Sequence, residues 1–244
     1  MKSAKTSLKL VSTVDPNEIA HFSSHSSDWW DRYGTYAPLH KMGAARMSYI
    51  KDALGGDLTG KSILDIGCGG GLICEPMARL GAKVTGIDAD QSAIKVATAH
   101  AKAQKLDISY FCGAAEILVK ERKKFDAITA LEILEHVSSP LAFVDLCAQL
   151  LKPEGKVIFS TLNRTWKSYG LGIFLAERVL SWAPPNTHQW NKFIRPSELS
   201  RMVEASGMNV ESACGLAYRP LQGEFALHPH DLDINYFMVA TLSK

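Results

Sequence analysis

Five β-branched and apolar positions, Ser62-Ile63-Leu64-Asp65-Ile66, run straight into Gly67-Cys68-Gly69-Gly70-Gly71. A short apolar run that stops at glycines predicts a buried strand, a tight turn and then a helix. Without side chains at the turn, a ligand can lie directly against the backbone. In an open α/β sheet this place is the carboxyl end of the first strand, where nucleotide-like cofactors dock. The loop alone does not name the cofactor, and which cofactor docks there decides what the protein does.

The rest of the sequence agrees with that constraint. Strand-like runs recur at Lys83–Ile87, Ile108–Cys112, Phe125–Leu131 and Lys156–Thr161, with helix-like runs between them at Cys74–Leu80, Ser92–Gln104 and Leu141–Leu151. Alternating strands and helices predict a mostly parallel sheet with helices on both faces. Gly81 marks a helix end, and Pro153-Glu154-Gly155 is expected to separate a helix from the next strand. Before this unit, residues 16–54 read as helical and aromatic, with Phe22, Trp29, Trp30, Tyr33, Tyr36 and Tyr49. After it come an aromatic stretch from Trp166 to Trp190, a helix over Ser197–Ser206, and strands over Val210–Tyr218 and Asn235–Leu242. The expected organisation is a disordered basic tail over residues 1–14 and one domain over 15–244. Within that domain a helical cap covers 15–56 and an insertion covers 163–192.

Bulk properties exclude several classes. With 27 basic and 25 acidic residues, the net charge of +2 gives no argument for a nucleic-acid partner. No apolar run is long enough to span a bilayer. The five cysteines are odd in number and lack a C-x-x-C pair, so they read as reduced thiols of a cytoplasmic protein. The first residues carry lysines without arginine and no apolar h-region, which favours a basic tail over a targeting segment.

Chemistry concentrates at the strand ends. The loop reads G-x-G-x-G at Gly67, Gly69 and Gly71, not the G-x-G-x-x-G of dinucleotide folds, and Asp65 precedes it. Asp65 either stabilises the turn or faces a ligand's amino group. Asp88 ends the second strand, where a carboxylate can accept from two ribose hydroxyls or cap the next helix. Gly113-Ala114-Ala115-Glu116 is a turn with small residues, suited to lie beside an adenine or simply to join strand and helix. The fourth strand runs into Leu131-Glu132-Ile133-Leu134-Glu135-His136. Two carboxylates and an imidazole in one turn suit a divalent cation such as Mg²⁺, or His136 serves as a general base for a hydroxyl. The Asn/Asp-Pro-Pro-Tyr sequence of nucleobase N-methyltransferases is absent from this place.

With these residues on the page, the chain resembles the ubiquinone-biosynthesis O-methyltransferase family, which acts on 3-demethylubiquinol and 2-polyprenyl-6-hydroxyphenol. The distinctive matches are Asp28-Trp29-Trp30-Asp31, Pro38-Leu39-His40, Leu64 to Gly71 and Glu132 to Val137. Further matches are Phe159 to Arg164, Lys192-Phe193-Ile194 and Asp233 to Tyr236. The resemblance implies a Rossmann-like class I methyltransferase with a seven-stranded sheet. It implies an S-adenosylmethionine site made by Arg46, Gly67, Asp88 and Leu131, to which the loop reading adds Asp65 and Gly69. It also implies a divalent cation at Glu132, Glu135 and His136, which would be the catalytic residues. Arg46 suits a carboxylate because a guanidinium grips it bidentately.

The implied acceptor is a polyprenylated phenol or quinol. The Trp166–Trp190 segment then reads as a lid or as a membrane-facing element, giving peripheral contact with the inner membrane and with other ubiquinone-biosynthesis enzymes. Three other readings stay open: a methyltransferase for a different small acceptor, a non-catalytic scaffold of a lipid-biosynthetic complex, and, least favoured by the loop spacing, a nicotinamide oxidoreductase.

Overall fold

The computed structural model describes residues 12–14, 28–170, 190–219 and 222–243. Helix α1 (Ala37–Ala53) precedes β1 (Ser62–Ile66), α2 (Cys74–Arg79), β2 (Lys83–Asp88), α3 (Gln91–Ala103) and β3 (Ile108–Cys112). Then come α4 (Glu116–Lys120), β4 (Phe125–Leu131), α5 (Pro140–Leu150) and β5 (Leu151–Leu162). A short 3₁₀ turn at Trp190–Lys192 leads to α6 (Pro196–Ala205), β6 (Met208–Arg219), β7 (Glu224–His228) and β8 (Asn235–Leu242).

The strands form an eight-stranded sheet in the order β3-β2-β1-β4-β5-β8-β6-β7. Strands β1 to β5 pair in parallel, and β8 runs antiparallel to β5 and β6. The count corrects the expected seven. The extra strand, β7, is a short hairpin return on β6, in which Phe225 faces Tyr218 and Leu227 faces Leu216. Its sequence, Glu-Phe-Ala-Leu-His, is too brief and polar-ended to signal a strand alone; pairing on β6 creates it.

Both faces of the sheet are covered, which explains why β1 and β4 read as continuous apolar runs. On one face Leu118, Phe143, Leu146, Leu199 and Val203 from α4, α5 and α6 pack against Leu64, Ile128 and Phe159. On the other, Met42, Tyr49, Ile50, Met77 and Ile94 from α1, α2 and α3 pack against Ile63, Val84 and Ile158. The expected break at Pro153–Gly155 lies inside β5: Leu151 already pairs with Phe125, and the register shifts before Lys156 pairs with Ala127.

The amino-terminal cap is less helical than its aromatic pattern suggests. Among the described residues only Ala37–Ala53 is α-helix there, and 28–36 is a chain of turns, closed by Asp31 N–H to Asp28 O and Gly34 N–H to Asp31 O. The end of the expected tail is held in place. Thr13, 5% exposed, donates its N–H to Glu116 at 2.6 Å, and Val14 bridges to Val137.

Candidate active site

The carboxyl ends of β1, β2 and β4 bring the expected residues to one edge of the sheet. Asp65 sits at the end of β1, 4% exposed, and both its oxygens are used: Thr129 Oγ1 donates at 2.6 Å and Cys74 Sγ at 3.2 Å. Burial pushes its carboxyl up to about 6, against the pull of those two hydrogen bonds. Asp65 thus ties β1 to β4 and α2 beneath the glycine loop. Gly67 adopts φ +75 and Gly69 φ +50, left-handed conformations that favour glycine.

Asp88 is joined directly to that loop. Gly69 N–H donates to its Oδ2 and Asp90 N–H to its Oδ1, both at 2.8 Å. Each oxygen retains a lone pair for a further donor. The helix cap is Asp90 instead, which accepts from Ser92 N–H at 2.8 Å. Burial raises the Asp88 carboxyl, opposed by backbone hydrogen bonds from Asp90, Gly69 and Ala89. The Gly113–Glu116 turn touches the site at one point, Gly113 N–H to Asp88 O at 2.8 Å.

Leu131 closes β4 opposite Ser160, and Glu132 follows in a left-handed conformation at φ +51. That turn swings the Glu132 carboxylate back over the sheet. Ser160 Oγ donates to it at 2.6 Å, Asn235 Nδ2 reaches both oxygens at 2.9 and 3.0 Å, and Arg46 Nη2 from α1 stands 3.2 Å away. Arg46 is 4% exposed, and its Nε and Nη2 have no hydrogen-bond acceptor. The guanidinium is therefore charge-paired by proximity yet has buried donors to spare, as a site for an anionic group requires. Glu135 is 4% exposed; Thr161 Oγ1 donates to its Oε2 at 2.7 Å and its Oε1 is unpartnered. Burial and then the Glu132 charge raise its carboxyl. His136 is half-buried and its N–H donates to Ile133 O at 2.9 Å.

This arrangement gives no support to the expected Mg²⁺ at Glu132, Glu135 and His136. Among the described residues no three His, Cys, Asp or Glu side chains are grouped to hold a metal ion. Glu132 accepts from Ser160 and Asn235 beside Arg46, and Glu135 accepts from Thr161 through one oxygen.

A sequence profile described as "Methyltransferase domain" matches residues 39–213. The "Ubiquinone biosynthesis O-methyltransferase" of Idiomarina loihiensis is 49% identical over 226 residues, covering 92% of each chain. The protein of the same name from Rhodopseudomonas palustris strain BisA53 is 45% identical over 240 residues, covering 94% of each. The chain belongs to the ubiquinone biosynthesis O-methyltransferase family. It is accordingly an S-adenosylmethionine-dependent methyltransferase. Its fold is shared with the magnesium protoporphyrin IX methyltransferase of Synechocystis PCC 6803, solved with bound S-adenosylhomocysteine. That match has a TM-score of 0.66 at 19% identity, over 92% of this chain and 97% of the other. A SAM-dependent methyltransferase from Aquifex aeolicus gives 0.59 at 15% identity, over 89% and 97%.

In this methyltransferase three residues at the site escaped the sequence reading: Ser160, Thr161 and Asn235, which hold the two glutamates. Ser160, Thr161 and Asn235 lie within segments that carry the family resemblance, which was the available signal, but their side chains gave no role until β5 was placed beside β4 and β8 beside β5. Of the insertion, residues 171–189, including Trp182, lie outside the described residues. At its margins Trp166 is 79% exposed and stacks on Trp190 with ring centroids 5.5 Å apart. Among the described residues no helix is long and apolar enough to cross a membrane.

Proposed function

We propose that this methyltransferase transfers a methyl group to a phenolic oxygen on polyprenylated intermediates of ubiquinone biosynthesis. The observation that carries the reading is Arg46: a buried guanidinium with unused donors, 3.2 Å from Glu132 and close enough to Asp65 to affect its charge. It stands between the strand that feeds the glycine loop and the turn that carries His136. One anion-seeking group therefore joins the cofactor half and the acceptor half.

In this reading Arg46 grips the carboxylate at the amino-acid end of S-adenosylmethionine. Gly67 and Gly69 present backbone, the remaining lone pairs of Asp88 accept the ribose hydroxyls, and Leu131 offers an apolar contact. Bound there, S-adenosylmethionine supplies a methyl already activated on a sulfonium. The tasks left to the protein are orientation and removal of one proton. His136 takes the proton from the phenol, and the carboxylate of Glu135, which interacts electrostatically with His136, supports the charge the imidazole gains. The phenol oxygen then bonds to the methyl carbon as the carbon–sulfur bond breaks, with the electron pair passing to sulfur.

A polyprenyl substrate resides in lipid. The exposed indole of Trp166 and the half-exposed Tyr169 support peripheral membrane contact at this margin of the site. Vesicle flotation of the full chain and of Trp166→Ala tests it; equal recovery with and without lipid removes the idea. For the reaction, methyl transfer to a short-tailed demethylubiquinol is the assay. His136→Ala is expected to lower turnover by about 10²–10⁴-fold while S-adenosylhomocysteine binds unchanged. Full turnover in that variant refutes the assignment of the base.

A further inference from the structure

The glycines that seemed to make room for a ligand make room first for a tryptophan. A Cβ built on Gly69 would stand 2.3 Å from Trp29 Cη2, and one on Gly70 would stand 2.5 Å from Trp29 Cβ and Cγ. The indole therefore lies flat on the backbone of the loop. Gly69 is also the residue whose N–H holds Asp88 at 2.8 Å. One glycine thus joins the expected ribose carboxylate to this ring.

The strap that delivers Trp29, residues 28–36, is fastened at several points. Trp30 Nε1 donates to Gly70 O at 3.0 Å. The Trp30 ring stacks on His100 of α3 at 3.5 Å and 9°, and His100 Nδ1 is 2.6 Å from Glu75 Oε1 of α2. His40 Nε2 is 2.9 Å from Trp29 O. On its far face Trp29 stacks on Tyr36 at 3.8 Å and 5°. Tyr36 is 6% exposed and its hydroxyl is pushed up to about 12 by burial and by the carboxylates of Asp90, Asp28 and Asp88. The aromatic pair therefore lies on the Asp88 side of the loop.

One atom of this packing is unsatisfied: Trp29 Nε1 is buried and has no acceptor among the described residues. A buried indole N–H without a partner is costly, and aromatic donors normally find one. The strap has been anchored by the other tryptophan, which uses its N–H fully. Trp29 keeps its own in reserve beside the glycine loop.

We propose that Trp29 is a cofactor-binding residue, the edge of its ring bordering the S-adenosylmethionine pocket and its indole N–H donating to an oxygen or ring nitrogen of the bound cofactor. Trp30 is the anchor that positions it. The proposal rests on the S-adenosylmethionine reading above.

The test is calorimetric and fluorimetric titration of the full chain with S-adenosylhomocysteine, using wild type, Trp29→Phe, Trp29→Ala, Trp30→Phe and Asp88→Asn. Binding is expected to quench tryptophan emission in wild type and in Trp30→Phe. Trp29→Phe, which keeps a ring but loses the N–H, should raise the Kd about 5–10-fold and lose most of the quench. Trp29→Ala should raise the Kd further, and Asp88→Asn should weaken binding with the Trp29 quench retained at saturation. A Trp29→Phe protein with the wild-type Kd and the full quench overturns the proposal. So does one that is merely less stable yet binds as wild type, because that outcome shows a packing role alone. If Trp29→Ala fails to fold, Trp29→Phe decides. Failure of wild type itself to bind S-adenosylhomocysteine would instead remove the cofactor reading beneath it.

Discussion

The Arg46–Glu132 pair allows a quantitative test of how the two halves of the site are held together. Unit charges 3.2 Å apart attract by about 5 kcal/mol at an effective dielectric of about 20. Desolvation of the two groups consumes much of this, so the net worth of the intact pair is small. Breaking it from one side is different. Replacing Glu132 by Gln leaves a cation that is 4% exposed without a counter-charge, which costs about 3–5 kcal/mol. Replacing Arg46 by Met costs less, about 1–3 kcal/mol, because Glu132 keeps Ser160 and Asn235 as donors. In the double variant no charge remains. The buried Asn235 Oδ1, unpartnered in the native site, can flip to accept from the new amide. The double variant is thus expected to lose no more than about 2–3 kcal/mol, a coupling of roughly 3 kcal/mol. Urea unfolding of the four proteins measures it, followed by far-ultraviolet dichroism and by tryptophan fluorescence so that coincident transitions license the free energies. Additivity within about 0.5 kcal/mol would refute the argument, since it would mean that neither charge depends on the other.

Asp65 predicts a pH effect. Its carboxyl is raised from 3.8 to about 6 by burial, so the folded state binds its proton more tightly than the unfolded chain. Its contribution is present below about pH 4 and lost as pH rises through about 6, about 3 kcal/mol in all. Asp65→Asn, which keeps the acceptor for Thr129, should therefore gain on wild type by that amount between pH 4 and 7 in denaturant unfolding; a constant difference would show that the carboxyl is not raised. Gly69→Ala should cost about 2–4 kcal/mol, from the clash with Trp29 and the left-handed φ, and about half of that loss should vanish in a Trp29→Ala background. Thermal unfolding of the single and double variants checks this, and strict additivity counts against the contact. Turnover measured with and without a strong chelator tests the divalent cation expected at Glu132, Glu135 and His136, and full activity in the chelator rules the metal role out. A loss that Mg²⁺ restores would return a metal to the Glu132–His136 turn.

The parallel half of the fold was legible because strands buried on both faces leave uninterrupted apolar runs, and Gly and Pro punctuate them. The bounds of β1, β3, β4 and β8 match the sequence reading residue for residue. Strand β7 was not legible, since five residues with polar ends owe their conformation to β6 alone. The aromatic cap misled for a related reason. Trp29, Trp30 and Tyr36 follow no helical face but serve a loop about 40 residues away, and their positions make sense only once Gly69 and Gly70 are folded beneath them.

The acidic turn after β4 shows where reading by residue type stops. Glu-x-x-Glu-His is a good ligand set by chemistry, and the turn does place all three residues at the end of β4. Whether they converge depends on what else arrives there, and that is decided by strand order. Because β5 lies between β4 and the antiparallel β8, Ser160 and Asn235 reach the same point as Glu132, and α1 lays Arg46 over it. Three neutral hydrogen bonds and one cation then hold a single carboxylate, 103 residues from its most distant partner. A carboxylate so held is a rigid anion whose field orients the guanidinium. It leaves Arg46 with donors facing the site, which is the property that a cofactor carboxylate can use. The acidic turn contributes to cofactor binding through Arg46 and to the acceptor's proton through Glu135 and His136, so its two glutamates serve opposite halves of one site.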